Sequence, residues 1–277
     1  MTTIEFSMPG SDQEPVRVTS EDLGRLAGRA AREEMSFRMY GTEFCRILGA
    51  VGMFQAVPRD FEQHSAVRCL ARGDELVLAA TNGVAAAIGR VPTDEAEGRG
   101  PFSIPHAQVK AVLGVFARPL PKGVSAAEYL LQVTVTTETI RIEDVSALFG
   151  GDTFTMVRPS EEAAERGDLS EMELVMNALS LHAAALDEAQ DPIGLESGVF
   201  FSPAEVARVS RAAKAIGVEV HLRSSGRRLI APLSESFVAY VAGDLHAWEQ
   251  RKPPFIDERA VRGWRRRLTE VVDEGVL

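Results

Sequence analysis

The sequence predicts an α+β fold in which a strand–helix–strands unit is repeated and the strands form curved antiparallel sheets with the helices on one face. Two observations predict it first: the same order of elements occurs twice between residues 35 and 159, and short turns join the strands after each helix. Turns this short link antiparallel neighbours. The third is that each predicted helix has a single apolar stripe, which suits it to cover one face of a sheet.

The first unit opens with residues 35–40, which alternate apolar and polar side chains as a half-buried strand does. Thr42 stands where a helix N-cap is expected. The apolar face of that helix is Phe44, Ile47, Leu48, Val51 and Phe54. The strands predicted after it are 66–70, 75–81 and 84–91. Asn82-Gly83 favours a tight hairpin turn because both residues accept a positive φ.

The second unit repeats this order. Residues 102–104 are a predicted short strand, Pro105 stands at a helix start, and Pro119 ends the helix. The strands predicted after this helix are 129–136, 138–142 and 154–157.

One more helix-then-strands unit follows near the C-terminus. Ser202-Pro203 combines an N-cap with a proline at the first helical position, and Gly217 ends the helix. The strands predicted after it are 218–222, 228–232 and 237–242. Helices are also predicted over 20–34, over 169–186 and through most of the tail.

Length and charge divide the chain into four regions. A chain of 277 residues is long enough for two domains with separate cores, and the charged residues 160–168 suit a linker. The expected regions are an N-terminal extension with a helix at 1–34, a first domain at 35–160, a second, divergent domain at 161–243 and a helical, Arg-rich tail at 244–277.

Composition narrows the function classes. The net charge of −10 argues against a small basic DNA-binding domain, but it leaves room for a local basic surface. Two cysteines cannot form a disulfide framework, and they fit a reducing compartment. No apolar run approaches the roughly 20 residues that span a bilayer, and no secretion signal is visible. We therefore expect a cytoplasmic protein without a membrane partner.

Motifs for catalysis and metal binding are missing from the sequence. The five histidines are scattered, and none lies four residues from another histidine or from a cysteine. The sequence has no glycine-rich phosphate loop and no nucleophile elbow. We expect a non-catalytic protein with no metal site and no cofactor.

Basic residues recur on the polar sides of three predicted helices. In the helix that starts at Ser202, for example, Arg211 and Lys214 lie opposite Val209 at about 100° per residue. Small residues such as Gly49 accompany them and would let a phosphate backbone approach. The candidate DNA-binding residues are Arg46, His106, Lys110, Arg118, Arg208, Arg211 and Lys214.

The run Leu76-Val-Leu-Ala-Ala-Thr-Asn-Gly-Val-Ala-Ala-Ala resembles a strand, turn and strand of the DNA sliding clamps, the beta subunits of bacterial DNA polymerase III. In that family the turn reads Ala-Thr-Asp-Gly. Ser103-Ile-Pro and the helix after it resemble the start of the clamp's second unit. Residues 35–51 resemble a domain opening, and 218–243 resemble the end of the last domain. The resemblance spans residues 35–243.

The chain also departs from this family. Bacterial clamps have three domains in each chain, and this chain has room for about two. Val84-Ala85 replace the His-Arg that usually continues the turn, and the usual Met-Pro near the C-terminus is missing. An Arg-rich tail is added, and residues 169–186 are acidic at Glu171 and Glu173. These differences indicate a short, divergent member.

The resemblance implies a processivity factor that encircles duplex DNA without reading its sequence and tethers a polymerase in replication or repair. Its partners would be DNA, polymerase and clamp-loader peptides, and its location the nucleoid. Known rings close with about six domains, so two per chain imply a head-to-tail trimer joined at sheet edges. By position, the partner-peptide cleft would be lined by Thr81, Gly83, Val84 and Ala86.

Three other interpretations stay open, one of which is an enzyme without a recognisable motif. A clamp-fold regulator could grip a polymerase or a clamp loader without forming a ring, and it would be a monomer in solution. A DNA-binding regulator could instead use Arg259, Arg262 and residues 265–267 of the tail. In that case, deleting the residues after Gly243 would abolish DNA binding.

Overall fold

The computed structural model describes residues 3–6, 16–19, 34–59, 65–117, 119–120, 125–146, 151–159, 201–225 and 228–243. The helices predicted at 20–34, at 169–186 and in the tail lie outside these residues. The strands are β1 (Thr3–Phe6), β2 (Val16–Thr19), β3 (Met35–Tyr40), β4 (Ala66–Ala71), β5 (Glu75–Thr81), β6 (Ala85–Pro92), β7 (Asp94–Glu97), β8 (Gly100–Pro105), β9 (Leu130–Val135), β10 (Thr139–Asp144), β11 (Thr153–Val157), β12 (Arg223–Ser225), β13 (Arg228–Ser234) and β14 (Phe237–Ala242). The helices are α1 (Gly41–Gly52), α2 (His106–Phe116) and α3 (Pro203–Ile216).

The two repeated units exchange their first strands. One sheet has the order β11-β10-β9-β3-β7 and the other the order β12-β13-β14-β6-β5-β4-β8, while β1 and β2 form a separate hairpin. Thus β3 of the first unit pairs with β9 of the second, and β8 of the second pairs with β4 of the first, both antiparallel. The two units therefore form one interlocked domain. The predicted α+β fold with antiparallel sheets is confirmed.

The C-terminal unit continues the larger sheet. Strand β14 pairs antiparallel with β6, and the register sets Phe237 beside Gly89 and Val241 beside Ala85. Helix α3 packs against α1 above this junction. Residues 201–243 are thus joined to the first unit through both a sheet and a helix layer.

The two sheets differ in how they are buried. In β3, Met35, Phe37 and Met39 face the core, while Ser36 and Arg38 between them are only half-buried. This alternation is typical of a sheet with one solvent-facing side. All seven positions of β5 are buried, so the larger sheet is covered on both faces there. Its apolar sequence has the continuous character expected of such a strand.

One glycine sets the distance between the helix layer and the larger sheet. A Cβ on Gly89 would overlap Cγ2 of Ile47 and lie 3.0 Å from Cγ2 of Val51, both in α1. The absence of a side chain at this position lets α1 lie directly on β6. The helix in turn buries its apolar face, including Phe44 and Leu48, in the common core.

Two local predictions were wrong, and strands β1, β2 and β7 were not predicted. Residues 218–222 are not a strand, and the short strand β12 comes after them. Strand β7 has three carboxylates among its four residues, and such residues are depleted in strands, so its sequence does not predict one. Helix α1 begins at Gly41 with Tyr40 as its N-cap residue, and no side chain caps it. The Gly41 amide instead donates to the Tyr129 carbonyl, at 2.9 Å, so a tertiary contact replaces the expected cap of Thr42.

Candidate nucleic-acid interface

Three helices form a layer on the core side of the sheets. Helix α1 contacts both α2 and α3, so it is the middle helix of the three. All three bury apolar stripes, which include Ile47 of α1, Val112 of α2 and Ala212 of α3, in one hydrophobic core. Their opposite sides are accessible as one surface, which we call the helical layer.

Among the described residues, three basic side chains of the helical layer have no partner. Lys110 of α2 and Arg211 and Lys214 of α3 are exposed. Within the described residues, none of them makes a hydrogen bond or an ion pair. Their charges are therefore available to a ligand in solution.

The acidic residues of the helical layer are paired. Glu43 accepts from Arg46 at 3.2 Å, and Glu205 forms an ion pair with Arg208 at 2.8 Å. The three helices carry five basic residues against these two carboxylates, a net charge of +3 with histidine neutral, although the whole chain carries −10. The helical layer is thus a basic surface on an acidic protein.

Small side chains separate the basic residues. Ala107 and Gly114 on α2 and Ala204 and Ala207 on α3 are all exposed. No atom of the described residues lies within 4 Å of the position that a Cβ of Gly114 would take. A phosphate backbone could therefore pass along the helices at short range, with only the long basic side chains reaching toward it.

Arg46 and Arg208 each connect α1 with α3, but they differ in how far their side chains are buried. Arg46 donates to the Ile216 carbonyl at 3.3 Å and keeps 40% of its side chain exposed. Arg208 donates to the Met53 carbonyl and pairs with the buried Glu205. The helical wheel put Arg208 opposite the apolar stripe, but the structure places it at the edge of that stripe, where it joins α3 to the end of α1. Arg208 therefore stabilises the contact between α3 and the end of α1, whereas part of the Arg46 side chain remains accessible to a ligand.

The other two candidate DNA-binding residues are His106 and Arg118. His106 is the first residue of α2 and is half-buried, and its Nδ1 is a buried atom without a hydrogen-bond partner among the described residues. Arg118 lies outside the described residues. Among the described side chains, Lys110, Arg211 and Lys214 are the candidates that lie fully open on one surface.

The predicted partner cleft is partly closed. The Thr81 hydroxyl donates to the Ala85 carbonyl at 3.0 Å and accepts from the Gly83 amide, so its polar atom is satisfied within the turn. Thr81 and Ala86 are both buried. Gly83, at a φ of +86°, and Val84, 45% exposed, form the accessible tip of the turn. The four residues do not line one open groove.

A polar network fixes this turn to the helical layer. Asn82 donates through Nδ2 to Glu205 at 3.1 Å and accepts at Oδ1 from the amides of Val84 and Ala85. Glu205 holds Arg208, which reaches the Met53 carbonyl. We call Asn82, Glu205, Arg208 and Met53 the latch, because they join the β5–β6 turn, α3 and the end of α1. Sequence reasoning missed it, since only the fold brings these residues together.

The described residues offer little other chemistry. They contain no cluster of three potential metal ligands, and none of their helices is long and apolar enough to cross a bilayer. Cys45 and Cys69 are free and buried. Burial raises the pKa of the Cys45 thiol to about 12 and raises that of Cys69 as well, so both are poor nucleophiles. Burial also lowers the pKa of Arg68, whose guanidinium donates to Ser103 at 2.9 Å.

Solved structures share this architecture. A putative DNA polymerase III beta subunit from Eubacterium rectale is 8% identical, with a TM-score of 0.52 over 88% of this chain and 73% of that chain. A DnaN sliding clamp from Pseudomonas aeruginosa bound to griselimycin is 12% identical, with a TM-score of 0.51 over 82% of this chain and 68% of that chain. Another beta subunit structure from Pseudomonas aeruginosa is 13% identical, with a TM-score of 0.51 over 80% and 67% of the two chains.

No protein-family profile and no curated protein matches the chain. At these identities the structural likeness establishes the fold. The described part of the chain has the fold of a bacterial sliding clamp, as the resemblance of residues 35–243 implied.

Proposed function

We propose that this protein is a sliding-clamp-like accessory factor that holds duplex DNA against its helical layer, encircles it as part of an oligomer and tethers a polymerase to it. The observation that carries the proposal is the charge of that layer, +3 on a chain of −10, with both carboxylates neutralised within the chain. The proposal assigns no chemical step to the protein, and it places the protein in the cytoplasm at the nucleoid.

Few, separated charges suit sliding better than tight binding. Each lysine or arginine that neutralises a phosphate releases counterions, which gives an affinity that depends on salt and not on sequence. Lys110 lies on α2, whereas Arg211 and Lys214 lie on α3, so the contacts are spread across the layer. The acidic remainder of the chain repels DNA and confines it to this surface.

Reversing Lys110→Glu and Arg211→Glu together is the test of this proposal. We expect retention on circular duplex to weaken, and the slope of log affinity against log salt to become shallower by about 2, because two phosphate contacts are lost. The fold should be unchanged, since both side chains are exposed and unpaired among the described residues. Affinity is measured by titration at several salt concentrations.

The control is Arg99→Glu with Arg141→Glu, which changes the net charge equally at exposed sites away from the helices. Arg141 also pairs with Glu143 at 2.6 Å, so circular dichroism is used to check that this variant is folded. If the affinity for duplex DNA depends on net charge alone, both double variants will bind DNA equally weakly. Equal retention of the parent and the Lys110/Arg211 variant would show that the helical layer does not face DNA.

For the tether we propose that a polymerase peptide contacts the tip of the β5–β6 turn at Gly83 and Val84. Val84 is a large apolar side chain, 45% exposed, beside the end of β14, where the Ala242 amide donates to the Val84 carbonyl at 2.8 Å. A short apolar peptide would cover Val84 and remove it from water. The latch holds the turn in place for such a contact.

Val84→Glu is expected to weaken the binding of a short apolar polymerase-tail peptide at least about tenfold, because a carboxylate would replace the apolar contact. Val220→Glu is the matched control, since Val220 is 40% exposed and lies after α3. Binding is followed by fluorescence anisotropy of the labelled peptide. Ala86→Arg is unsuitable for this purpose because Ala86 is buried and the change would disturb the sheet. If the Val84 and Val220 variants bind the peptide with equal affinity, the tip of the β5–β6 turn is not the peptide site.

A further inference from the structure

We propose that the tail of this chain, residues 244–277, packs against the outer face of the larger sheet and covers it as a further layer. The outer face is the side of that sheet turned away from the helical layer. The inference concerns contacts within one chain, so it is independent of the DNA and peptide contacts proposed above.

The outer face is apolar and continuous across five neighbouring strands. Alternate residues of a strand point to opposite sides of the sheet, so Ile88 faces outward while its neighbour Ala87 faces the core. The register sets Ile88 beside Ala79 of β5 and Val238 of β14. The apolar residues of this face are Leu70, Val77, Ala79, Ala86, Ile88, Ile230, Val238 and Tyr240.

These eight side chains are buried, although no described helix covers them. Each is at most 9% exposed, and none belongs to the hydrophobic core that α1, α2 and α3 share. Arg68, which lies opposite Ala79, is on the same face, and burial lowers its pKa. Because a sheet face that meets water leaves its side chains partly exposed, another part of the molecule covers this face.

The smaller sheet provides the contrast. On its side away from the core, Gln132 and Thr134 are half-buried and Thr155 is exposed. These are polar residues at positions where the larger sheet has valine, isoleucine and alanine. An apolar surface of this extent is normally covered by a second segment or a partner.

The tail begins on the outer face. It follows β14 directly, and β14 contributes Val238 and Tyr240 to that face. The Ala242 amide donates to the Val84 carbonyl at 2.8 Å, which holds the end of β14 beside β6. The first residues of the tail therefore lie next to the surface that needs a cover.

The other long segments outside the described residues are attached elsewhere. Residues 20–33 lead into β3 of the smaller sheet. Residues 160–200 connect β11 of the smaller sheet with α3, on the core side. These points of attachment favour the tail as the occupant of the outer face.

The sequence of the tail suits this position. Residues 261–272 have the apolar spacing of one helix face, and Arg262 and Arg266 fall on the opposite side. With this stripe against the sheet, both arginines would remain in water. The residues of the stripe are Val261, Trp264, Leu268, Val271 and Val272.

The dimensions also agree. A helix over 261–272 would be about 18 Å long, which fits along the roughly 23 Å of the seven-residue strand β5. A helix is about 10 Å wide and covers about two strands. The tail residues before Pro253, among them Trp248, would cover the remaining strands.

The tail would also occupy part of the predicted partner cleft. Thr81 and Ala86 are opposite each other on the outer face, and both are buried. Gly83 and Val84 at the tip of the turn remain accessible. A partner that used all four residues would have to displace the tail, so the chain supplies its own competitor for this surface.

Photocrosslinking in the full chain tests the contact. A benzophenone-bearing phenylalanine analogue replaces Tyr240, which is 8% exposed on the outer face. Tyr40, 45% exposed at the end of β3, receives the same replacement as the matched control. We expect crosslinks from position 240 to residues 261–272 and none from position 40 to the tail. Mass spectrometry of the digested chain identifies the linked segment.

The identity of the linked segment decides between occupants. A crosslink from position 240 to residues 20–33, to residues 160–200 or to a second copy would overturn the proposal, and so would the absence of any crosslink. Because the replacement at Tyr240 keeps an aromatic side chain, the apolar face is retained in this experiment.

Fluorescence gives a second, independent measurement. Trp248 and Trp264 are the two tryptophans of the chain, so their emission reports on the tail alone. Val238→Lys places an ammonium group in the covered face, and we expect it to release the tail. The acrylamide quenching constant should rise at least about twofold, because the indoles pass from an apolar contact into water.

Val157→Lys is the matched control, since it makes the same change in a strand where the side chain is 79% exposed. It should leave the quenching constant unchanged. Circular dichroism checks that both variants keep their sheets, and the crosslink decides if Val238→Lys does not fold. Tryptophans as accessible in the folded parent as in urea, or equally accessible in both folded variants, would overturn the proposal.

Discussion

Gly89→Val is expected to lower the free energy of unfolding by at least about 3 kcal/mol, because a side chain at this position would overlap the helix that covers the sheet. A Cβ there would already collide with Ile47, which is fully buried, and would lie 3.0 Å from Cγ2 of Val51. Neither neighbour can move without disturbing the core that α1 shares with both sheets. Urea unfolding followed by circular dichroism measures the change.

Two further variants sharpen this test. Gly114→Val makes the same change in α2, where no atom of the described part of the chain lies within 4 Å of the new Cβ, and should alter stability by less than about 0.5 kcal/mol. Adding Ile47→Ala to Gly89→Val should cost less than the sum of the two single changes, because the truncation frees the space that valine needs. Additive costs would show that Gly89 does not set the helix-to-sheet distance.

Glu205→Gln is expected to cost about 3 kcal/mol, because it removes the counterion of Arg208 inside the latch. The Glu205 side chain is 11% exposed and that of Arg208 is 21% exposed. The change leaves a largely buried guanidinium with only the Met53 carbonyl, and it weakens the hydrogen bond from Asn82. The helix α3 and the β5–β6 turn should loosen together, and hydrogen exchange at both should quicken.

A second ion pair with the same spacing serves as the control for Glu205 and Arg208. Glu43 and Arg46 have the same spacing on α1, but their side chains are 30% and 40% exposed. Glu43→Gln should therefore cost less than about 1 kcal/mol and become undetectable in high salt. Equal costs at Glu43 and Glu205 would mean that the latch adds nothing beyond an ordinary surface ion pair.

The latch also bears on how the two proposed contacts relate. It connects the turn proposed to hold a polymerase peptide with a helix proposed to face DNA, through Asn82 on one side and Glu205 on the other. Loosening it should weaken both activities in parallel. The exposed-site variants at Val84 and Lys110 should instead affect one activity each.

The local elements could be predicted from the sequence. Alternation predicted β3, since one face of its sheet meets the core and the other meets water. Asn82-Gly83 predicted the hairpin between β5 and β6, because the turn needs the positive φ that Gly83 adopts. Ser202-Pro203 and Gly217 set the ends of α3, and Gly217 has the left-handed conformation of a helix C-cap. These features depend on neighbouring residues alone.

Which elements contact one another could not be predicted from the sequence and was seen in the folded structure. Strands β6 and β14 are apolar throughout most of their length, which predicts that they are buried. Their sequences do not indicate which strand each one pairs with, and the antiparallel pairing of β14 with β6 is seen only in the folded sheet. Helical periodicity placed Arg208 among the candidate DNA contacts. Its hydrogen bond to the Met53 carbonyl at the end of α1 could not be predicted, because Met53 is distant in sequence. The open positions of Lys110, Arg211 and Lys214, by contrast, followed from periodicity. Periodicity predicts which side of a helix is polar, but the partner of each polar group depends on chain segments distant in sequence.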